Sequence, residues 1–330
     1  MTNSSDPALG PTAKLISVVV SFRNEQDNIP QLVKRLSAVF APVPERLEII
    51  FVNDDSTDRS LEVLRELNAS DSRVKVVNMA RRFGVSECVL AGMEMACGDA
   101  VIYMDCDLQD PPELIPELLR EWRDGSKVVH TLRKQRLGEN PIKMFLTRMA
   151  YRAIQLGSNI KLPVDCGDFK LLDRIVVDRL LSLPENDPYL RGLAIWIGYK
   201  QTFVPYIREA RHSGKTHFPL FSRNPWRTVI GGITSFSNMP VYVLGIVGIV
   251  ASLLSCGLLL GSLLGYIFTN LPGFGISLLI SLGLLLWSTL LLGIGTIGLY
   301  VVRIYKDVRG RPRYIINDTE GFEPAERSKP

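Results

Sequence analysis

Lys14-Leu-Ile-Ser-Val-Val-Val-Ser21 is an apolar run rich in β-branched residues. Between its ends only Ser17 is polar, so it has no alternating wet face, which is the pattern of a parallel strand covered on both sides. Leu47-Glu-Ile-Ile-Phe-Val52, Val74-Lys-Val-Val77 and Ala100-Val-Ile-Tyr-Met104 resemble it. Helical stretches separate these runs. One begins at Asn28-Ile-Pro30, with Asn28 as N-cap and Pro30 in the first turn, and others cover 58–68, 85–97 and 112–124. Strands alternating with helices predict a doubly wound α/β sheet with right-handed crossovers.

In such a sheet ligands bind beyond the carboxyl ends of the strands. Those ends are acidic here: Ser21-Phe-Arg-Asn-Glu25 follows the first strand, Asn53-Asp-Asp55 the second, and Asp105-Cys-Asp-Leu-Gln-Asp110 the fourth. Three clusters distant in sequence are therefore expected to meet on one edge. Asp105 and Asp107, two apart in a tightening turn, suit a hard divalent cation, Mg²⁺ or Mn²⁺, held against a diphosphate. Alone, a D-x-D pair is as much a common surface turn; its place after a buried strand, with Gln109, Asp110 and Pro111-Pro112 behind it, favours the metal.

The chain counts 38 Lys and Arg against 34 Asp and Glu, yet positions 228–302 carry none of them. A uniformly soluble protein is excluded, and 46% hydrophobic residues exclude overall disorder. Within the uncharged block, 241–267 and 276–302 each exceed the roughly 20 residues that cross about 30 Å of hydrocarbon. Phe268-Thr-Asn-Leu-Pro-Gly-Phe-Gly275 supplies the turn of a helical hairpin. Arg211, Lys215, Arg223 and Arg227 precede the hairpin, and Arg303, Lys306, Arg309, Arg311 and Arg313 follow it, so both ends are expected in the cytoplasm. The first residues lack a charged n-region and an apolar h-region, so no cleavable signal is expected.

The expected organisation is a flexible 1–13, a soluble domain over 14–215, an interfacial segment over 216–240, the hairpin over 241–302, and a cytoplasmic tail over 303–330, loose after Arg313. An amphipathic helix with a basic face is expected over 141–158, packed on the domain or lying in the membrane interface. Cys88, Cys97, Cys106, Cys166 and Cys256 form no C-x-x-C pair and fit reduced thiols. A net charge of +4 gives no argument for nucleic acid.

Val20-Ser-Phe-Arg-Asn-Glu25, Val52-Asn-Asp-Asp-Ser-Thr-Asp58 and Asp105-Cys-Asp-Leu-Gln-Asp-Pro-Pro112 resemble the three N-terminal signatures of family-two glycosyltransferases with the GT-A fold. The chain is most similar to the polyprenyl-phosphate glycosyltransferases, the group of dolichol-phosphate mannose synthase and the bactoprenol glucosyltransferases. The likeness runs from about Ile16 to Arg313 and includes the hairpin. It implies an α/β GT-A domain on the cytoplasmic face of a bacterial inner membrane, joining a nucleotide sugar, best a UDP-sugar, to a polyprenyl phosphate.

The resemblance also implies roles. Glu25, Asp54, Asp55, Asp105 and Arg133 fall at nucleotide-sugar positions; Asp105, Asp107 and Gln109 fall at the metal and diphosphate. Arg133 is equally readable as an exposed cation. In Asp165-Cys-Gly-Asp-Phe-Lys170 an acidic residue approaches sugar and acceptor. Asp165 and Asp168 are not separable by sequence, and one is a candidate cap for a helix near Leu172. Arg191, Arg211 and Lys215 match phosphate-proximal positions. The usual G-x-S-K-Y reads Gly214-Lys215-Thr216-His217-Phe218, so Lys215 either replaces the displaced lysine or the contact is lost. Relatives with terminal hairpins suggest a homotetramer. A processive polysaccharide synthase is disfavoured because Q-x-x-R-W is absent. A catalytically silent scaffold or translocase is disfavoured by three intact acidic clusters.

Overall fold

The computed structural model describes residues 13–136, 166–186, 188–208, 239–269 and 274–323. The expected helix over 141–158, most of the interfacial segment, and Asp165, Arg211 and Lys215 lie outside the described residues.

The first half alternates strand and helix: β1 (Leu15–Phe22), α1 (Ile29–Phe40), β2 (Arg46–Asn53), α2 (Ser60–Ser70), β3 (Val74–Met79), α3 (Val85–Met95), β4 (Ala100–Asp105) and α4 (Ile115–Arg123), the last preceded by a 3₁₀ turn at Pro112–Leu114. Then come β5 (Val128–Arg136), β6 (Cys166–Asp173), α5 (Arg174–Ser182), α6 (Leu190–Trp196) and β7 (Gln201–Arg208). Two long helices follow, α7 (Met239–Thr269) and α8 (Phe274–Val308), and finally β8 (Ile316–Glu320).

Eight strands form one sheet in the order β7-β5-β6-β4-β1-β2-β3-β8. β3, β2, β1 and β4 run parallel. β6 lies antiparallel to both β4 and β5, while β7 is parallel to β5. The pleat sends alternate residues of β1 to opposite faces. Val18, Val20 and Phe22 join a core beneath α1 and α4, and Val19 joins a second core beneath α3 and α5. Both faces are therefore apolar, at roughly 1.5–3 kcal/mol for each large side chain fully buried. α3 comes closest at Gly92, where a Cβ would stand 2.4 Å from Val19 Cγ1 and 2.9 Å from Val52 Cγ2.

Three local expectations are corrected. Asn28 has helical backbone and makes no side-chain cap; its amide donates to Glu25 Oε2 at 2.5 Å instead. The helix expected near Leu172 begins at Arg174, because 166–173 is drawn into the sheet against β4 and β5. Its cap is Asp173, whose carboxylate accepts from the Ile175 N–H at 3.2 Å, so Asp168 is not the cap. Over its described residues the tail is not loose: residues 316–320 add an antiparallel strand to the outer edge of β3.

α7 and α8, of 31 and 35 residues, pack against each other and are long and apolar enough to cross a membrane. At about 1.5 Å per residue each exceeds the ~30 Å of a hydrocarbon core. Their large aliphatic side chains, among them Leu253, Leu260, Leu284 and Leu292, point outward, the reverse of a water-soluble helix pair. The far end of α8 is tied to the α/β domain. Asn186 N–H donates to Asp307 Oδ1 at 3.0 Å, Asn186 Nδ2 donates to the Lys306 carbonyl at 2.9 Å, and Arg303 lies 3.4 Å from Glu185.

Candidate active site

The loops after β1 and β2 are laced together. Asp54 N–H donates to the Phe22 carbonyl at 3.0 Å, Asn24 N–H to Ser56 Oγ at 3.0 Å, and Thr57 N–H to Asn24 Oδ1 at 2.8 Å. Asn24 and Asp55 hold left-handed backbone, φ 57° and 58°, which short polar side chains tolerate best. The neighbouring acids have different surroundings. Asp54 is buried, and its Oδ1 accepts from Phe83 N–H at 2.7 Å and Gly84 N–H at 3.3 Å, bracing the β3–α3 loop. Asp55 is exposed. Glu25 is buried, and its backbone N–H donates to Ser60 Oγ at 3.0 Å.

The β1–β4 register sets Asp105 beside Ser21, so the D-x-D turn sits against the first loop. Gln109 N–H closes this turn on Asp107 Oδ1 at 3.2 Å, with Leu108 left-handed at φ 58°. Burial, then the charges of Asp168, Asp107 and Asp110, push the Asp105 carboxyl up to about 7. Asp168 is the counterpart. Burial would raise it too, but Arg191 donates to both of its oxygens, Nε at 2.7 Å, and with Lys170 and Arg133 holds the carboxyl far below the usual range. The structure thus brings Asp105, Asp107, Asp168, Arg133 and Arg191 into one neighbourhood at the carboxyl edge of the sheet, beside the loops carrying Glu25, Asp54 and Asp55.

Sequence reasoning named Asp110 and Arg133 but missed Tyr206 and Arg208, which link them in a layer beneath. Asp110 is fully buried and accepts a hydrogen bond from Tyr206, whose hydroxyl accepts in turn from Arg133 Nε at 3.0 Å. Arg133 also lies 3.6 Å from Asp110 Oδ2; burial would lower its pKa, and Asp110 and Tyr206 more than offset this. Arg208 bridges the acids, 3.4 Å from Asp110 and 3.9 Å from Asp107. The Arg133 guanidinium lies over Gly167, where a Cβ would be 2.9 Å from it. Tyr206 and Arg208, two apart on β7, share a strand face, and that period was the available signal.

Among the described residues no three His, Cys, Asp or Glu side chains form a ready metal cage. Asp105, Asp107 and Gln109 offer hard oxygen donors, and Asp110 Oδ2, buried beside them, makes no hydrogen bond. That set fits Mg²⁺ or Mn²⁺, ions bound by one or two carboxylates with substrate phosphates and water completing the shell.

The sequence profile of glycosyl transferase family 2 matches residues 17–181, which span the carboxyl ends of β1 to β6 and leave out β7 and β8. The chain belongs to glycosyl transferase family 2. Its sheet is the GT-A fold of that family, and the protein is a glycosyltransferase. It is 40% identical over 309 residues to an uncharacterized glycosyltransferase, YkcC, of Bacillus subtilis (strain 168), covering 93% of this chain and 94% of that one. It is 34% identical over 313 residues to an SfII prophage-derived bactoprenol glucosyl transferase of Shigella flexneri, covering 94% and 99%. Glucosyl-3-phosphoglycerate synthase from Mycobacterium tuberculosis, solved with Mn²⁺, uridine-diphosphate-glucose and phosphoglyceric acid, is a more distant likeness. It is 19% identical with a TM-score of 0.45, over 67% of this chain and 78% of that one.

Proposed function

We propose that this glycosyltransferase moves a sugar, best glucose from UDP-glucose, onto a polyprenyl phosphate at the cytoplasmic leaflet, with inversion at the anomeric carbon. The observation that carries the reading is the joining of an acid-rich GT-A edge to a hairpin of two membrane-length apolar helices. The near full-length likeness to a bactoprenol glucosyl transferase supports the acceptor and the sugar. GDP-mannose, UDP-N-acetylglucosamine and a UDP-aminoarabinose derivative are the alternative donors.

A polyprenyl monophosphate is already mostly ionised near neutral pH, its second pKa being about 6 by analogy with phosphoserine, so its oxygen needs no strong base. The protein's work is to align two anions and to stabilise the departing diphosphate. Glu25, Asp54 and Asp55 bind the nucleotide, with Asp54 acting mainly by bracing the loop. Asp105, Asp107 and Gln109 would hold Mg²⁺ or Mn²⁺, which when bound offsets the diphosphate charge. Arg133 faces the same group. Arg191, with Arg211 and Lys215, receives the acceptor phosphate. Asp168, clamped ionised by Arg191, suits orienting the sugar and that arginine better than taking up a proton, which leaves Asp165 as the remaining candidate for a modest base.

Membranes carrying the full chain, given labelled UDP-glucose, Mg²⁺ and undecaprenyl phosphate, should yield a labelled lipid; UDP-galactose, UDP-N-acetylglucosamine and GDP-mannose in parallel rank the donors. Asp107→Ala should abolish metal-dependent transfer and leave membrane insertion intact. Transfer from no donor, or full activity in Asp107→Ala, would overturn the corresponding part of the reading.

A further inference from the structure

We propose that the C-terminal strand is a positioning element for the nucleotide loop, acting through Asp318; the inference rests on reading the loop at Asp54 and Asp55 as the nucleotide site. In the β3–β8 pairing Asp318 stands opposite Asn78. Asn78 Nδ2 donates to Asp318 Oδ1 at 2.6 Å, Asn53 Nδ2 donates to Asn78 Oδ1 at 3.1 Å, and Ser56 N–H donates to Asn53 Oδ1 at 3.0 Å. Both asparagines are buried. The row leads from the tail to the turn in which Asp55 holds its left-handed backbone, and Ser56 Oγ passes it on to Asn24 of the first loop.

The polarity of this row is fixed at its ends. A carboxylate only accepts and a backbone N–H only donates, so Asp318 and Ser56 together dictate which way each amide between them faces. If the Asn78 amide turned over, its NH₂ would meet the NH₂ of Asn53. If Asn53 turned as well, the Ser56 N–H would face a donor. The Ser56 N–H alone would keep this order; what the Asp318 carboxylate adds is a charged, fixed acceptor that holds the Asn78 amide more firmly than an exchangeable water would. Each bond in such a row also polarises the next.

Different residues hold the strand in place. Arg65 pairs with Glu320 at 2.9 Å, Ala80 N–H donates to the Ile315 carbonyl at 2.9 Å, and Phe322 is buried with Lys75 Nζ 4.8 Å from its ring centroid. Anchoring and positioning can therefore be separated by substitution.

The test uses the full chain in detergent, with UDP titrated by calorimetry and UDP-glucose by steady-state kinetics. Asp318→Ala should raise the KM for UDP-glucose and the Kd for UDP about fivefold, the effect of one lost hydrogen bond, with kcat within about twofold. Asp318→Asn, whose carbonyl oxygen accepts the same bond, should restore both constants. Arg65→Ala should lower the melting temperature and leave KM unchanged. Wild-type constants in Asp318→Ala, or equal losses in Asp318→Ala and Arg65→Ala, would overturn the proposal. A wild-type chain that binds neither UDP nor GDP would overturn the nucleotide reading along with it.

Discussion

Asp110 is the residue on which the acidic edge turns. A fully buried carboxylate costs several kcal/mol in desolvation unless partners repay it, and here they are one hydroxyl and two guanidinium groups at charge-contact rather than hydrogen-bond distance. Such a group earns its place by fixing where Arg133 and Arg208 stand relative to Asp107. Tyr206→Phe removes one hydroxyl that both donates to Asp110 and accepts from Arg133, while keeping the ring. We expect normal membrane insertion, a kcat down by about tenfold, and a KM for the nucleotide sugar changed by less than about twofold, read by steady-state assay. Gly167→Ala should act on the same arginine from the other side, because a methyl 2.9 Å from its guanidinium displaces it. A fall in kcat/KM of about tenfold or more is expected, with an unaltered melting curve. Asp107 was legible from its motif together with its place after a buried strand. Arg208, which meets it across the sheet, was not, because that contact joins residues about a hundred positions apart.

At the scale of elements, Asp173 holds three pieces of structure at once. It caps α5 through Ile175 N–H, accepts from Trp122 Nε1 of α4 at 2.8 Å, and pairs with Lys127 ahead of β5 at 2.9 Å. Asp173→Ala should destabilise the α/β domain by about 2–4 kcal/mol, as a lost cap and a stranded indole N–H, measured by denaturant melts. Burial opposes ionisation, but Trp122 and Lys127 hold the carboxyl below its ordinary value. A lowered folded pKa gives stability that is complete above the ordinary carboxylate value, about 3.9, and is lost as pH falls through the lower folded one. The gap between wild type and Asp173→Ala should therefore narrow only below about pH 4. β1 to β4 were readable because strands covered on both faces must be apolar throughout. β7, Gln201-Thr-Phe-Val-Pro-Tyr-Ile-Arg208, has no clean alternation and carries a proline, so it reads weakly by itself. β8, Ile316-Asn-Asp-Thr-Glu320, reads as coil; it is a strand because β3 offers an open edge, which no local pattern announces. The onset of α5 was misplaced for the same reason, since pairing with β4 and β5 holds 166–173 extended.

For the whole molecule, the hairpin and the α/β domain are joined at Glu185 and Asn186, and the same helix that would leave the bilayer carries the basic residues Arg303 and Lys306, with Arg309 just past its end. Positive charge at both hairpin ends and none in the linking turn predicts that the turn faces away from the cytoplasm. Asn270→Cys in a cysteine-free background should react with an impermeant maleimide added to intact cells, whereas a tag after Pro330 should be reached only after permeabilisation. The uncharged block made the hairpin plain in the sequence. That α8 ends against a domain more than a hundred residues upstream was not plain, because Asn186 and Glu185 sit in an unremarkable polar loop.

Because the eighth strand is encoded beyond both apolar helices, a nascent chain brings it out of the ribosome after the hairpin. Until then β3 is a bare edge and Asn78 has no carboxylate to answer to. The loop at Asp54 and Asp55 thus gains its tie to Asp318 only after both apolar helices have been made: a chain truncated before Tyr314 would carry the hairpin yet lack the carboxylate that steadies that loop.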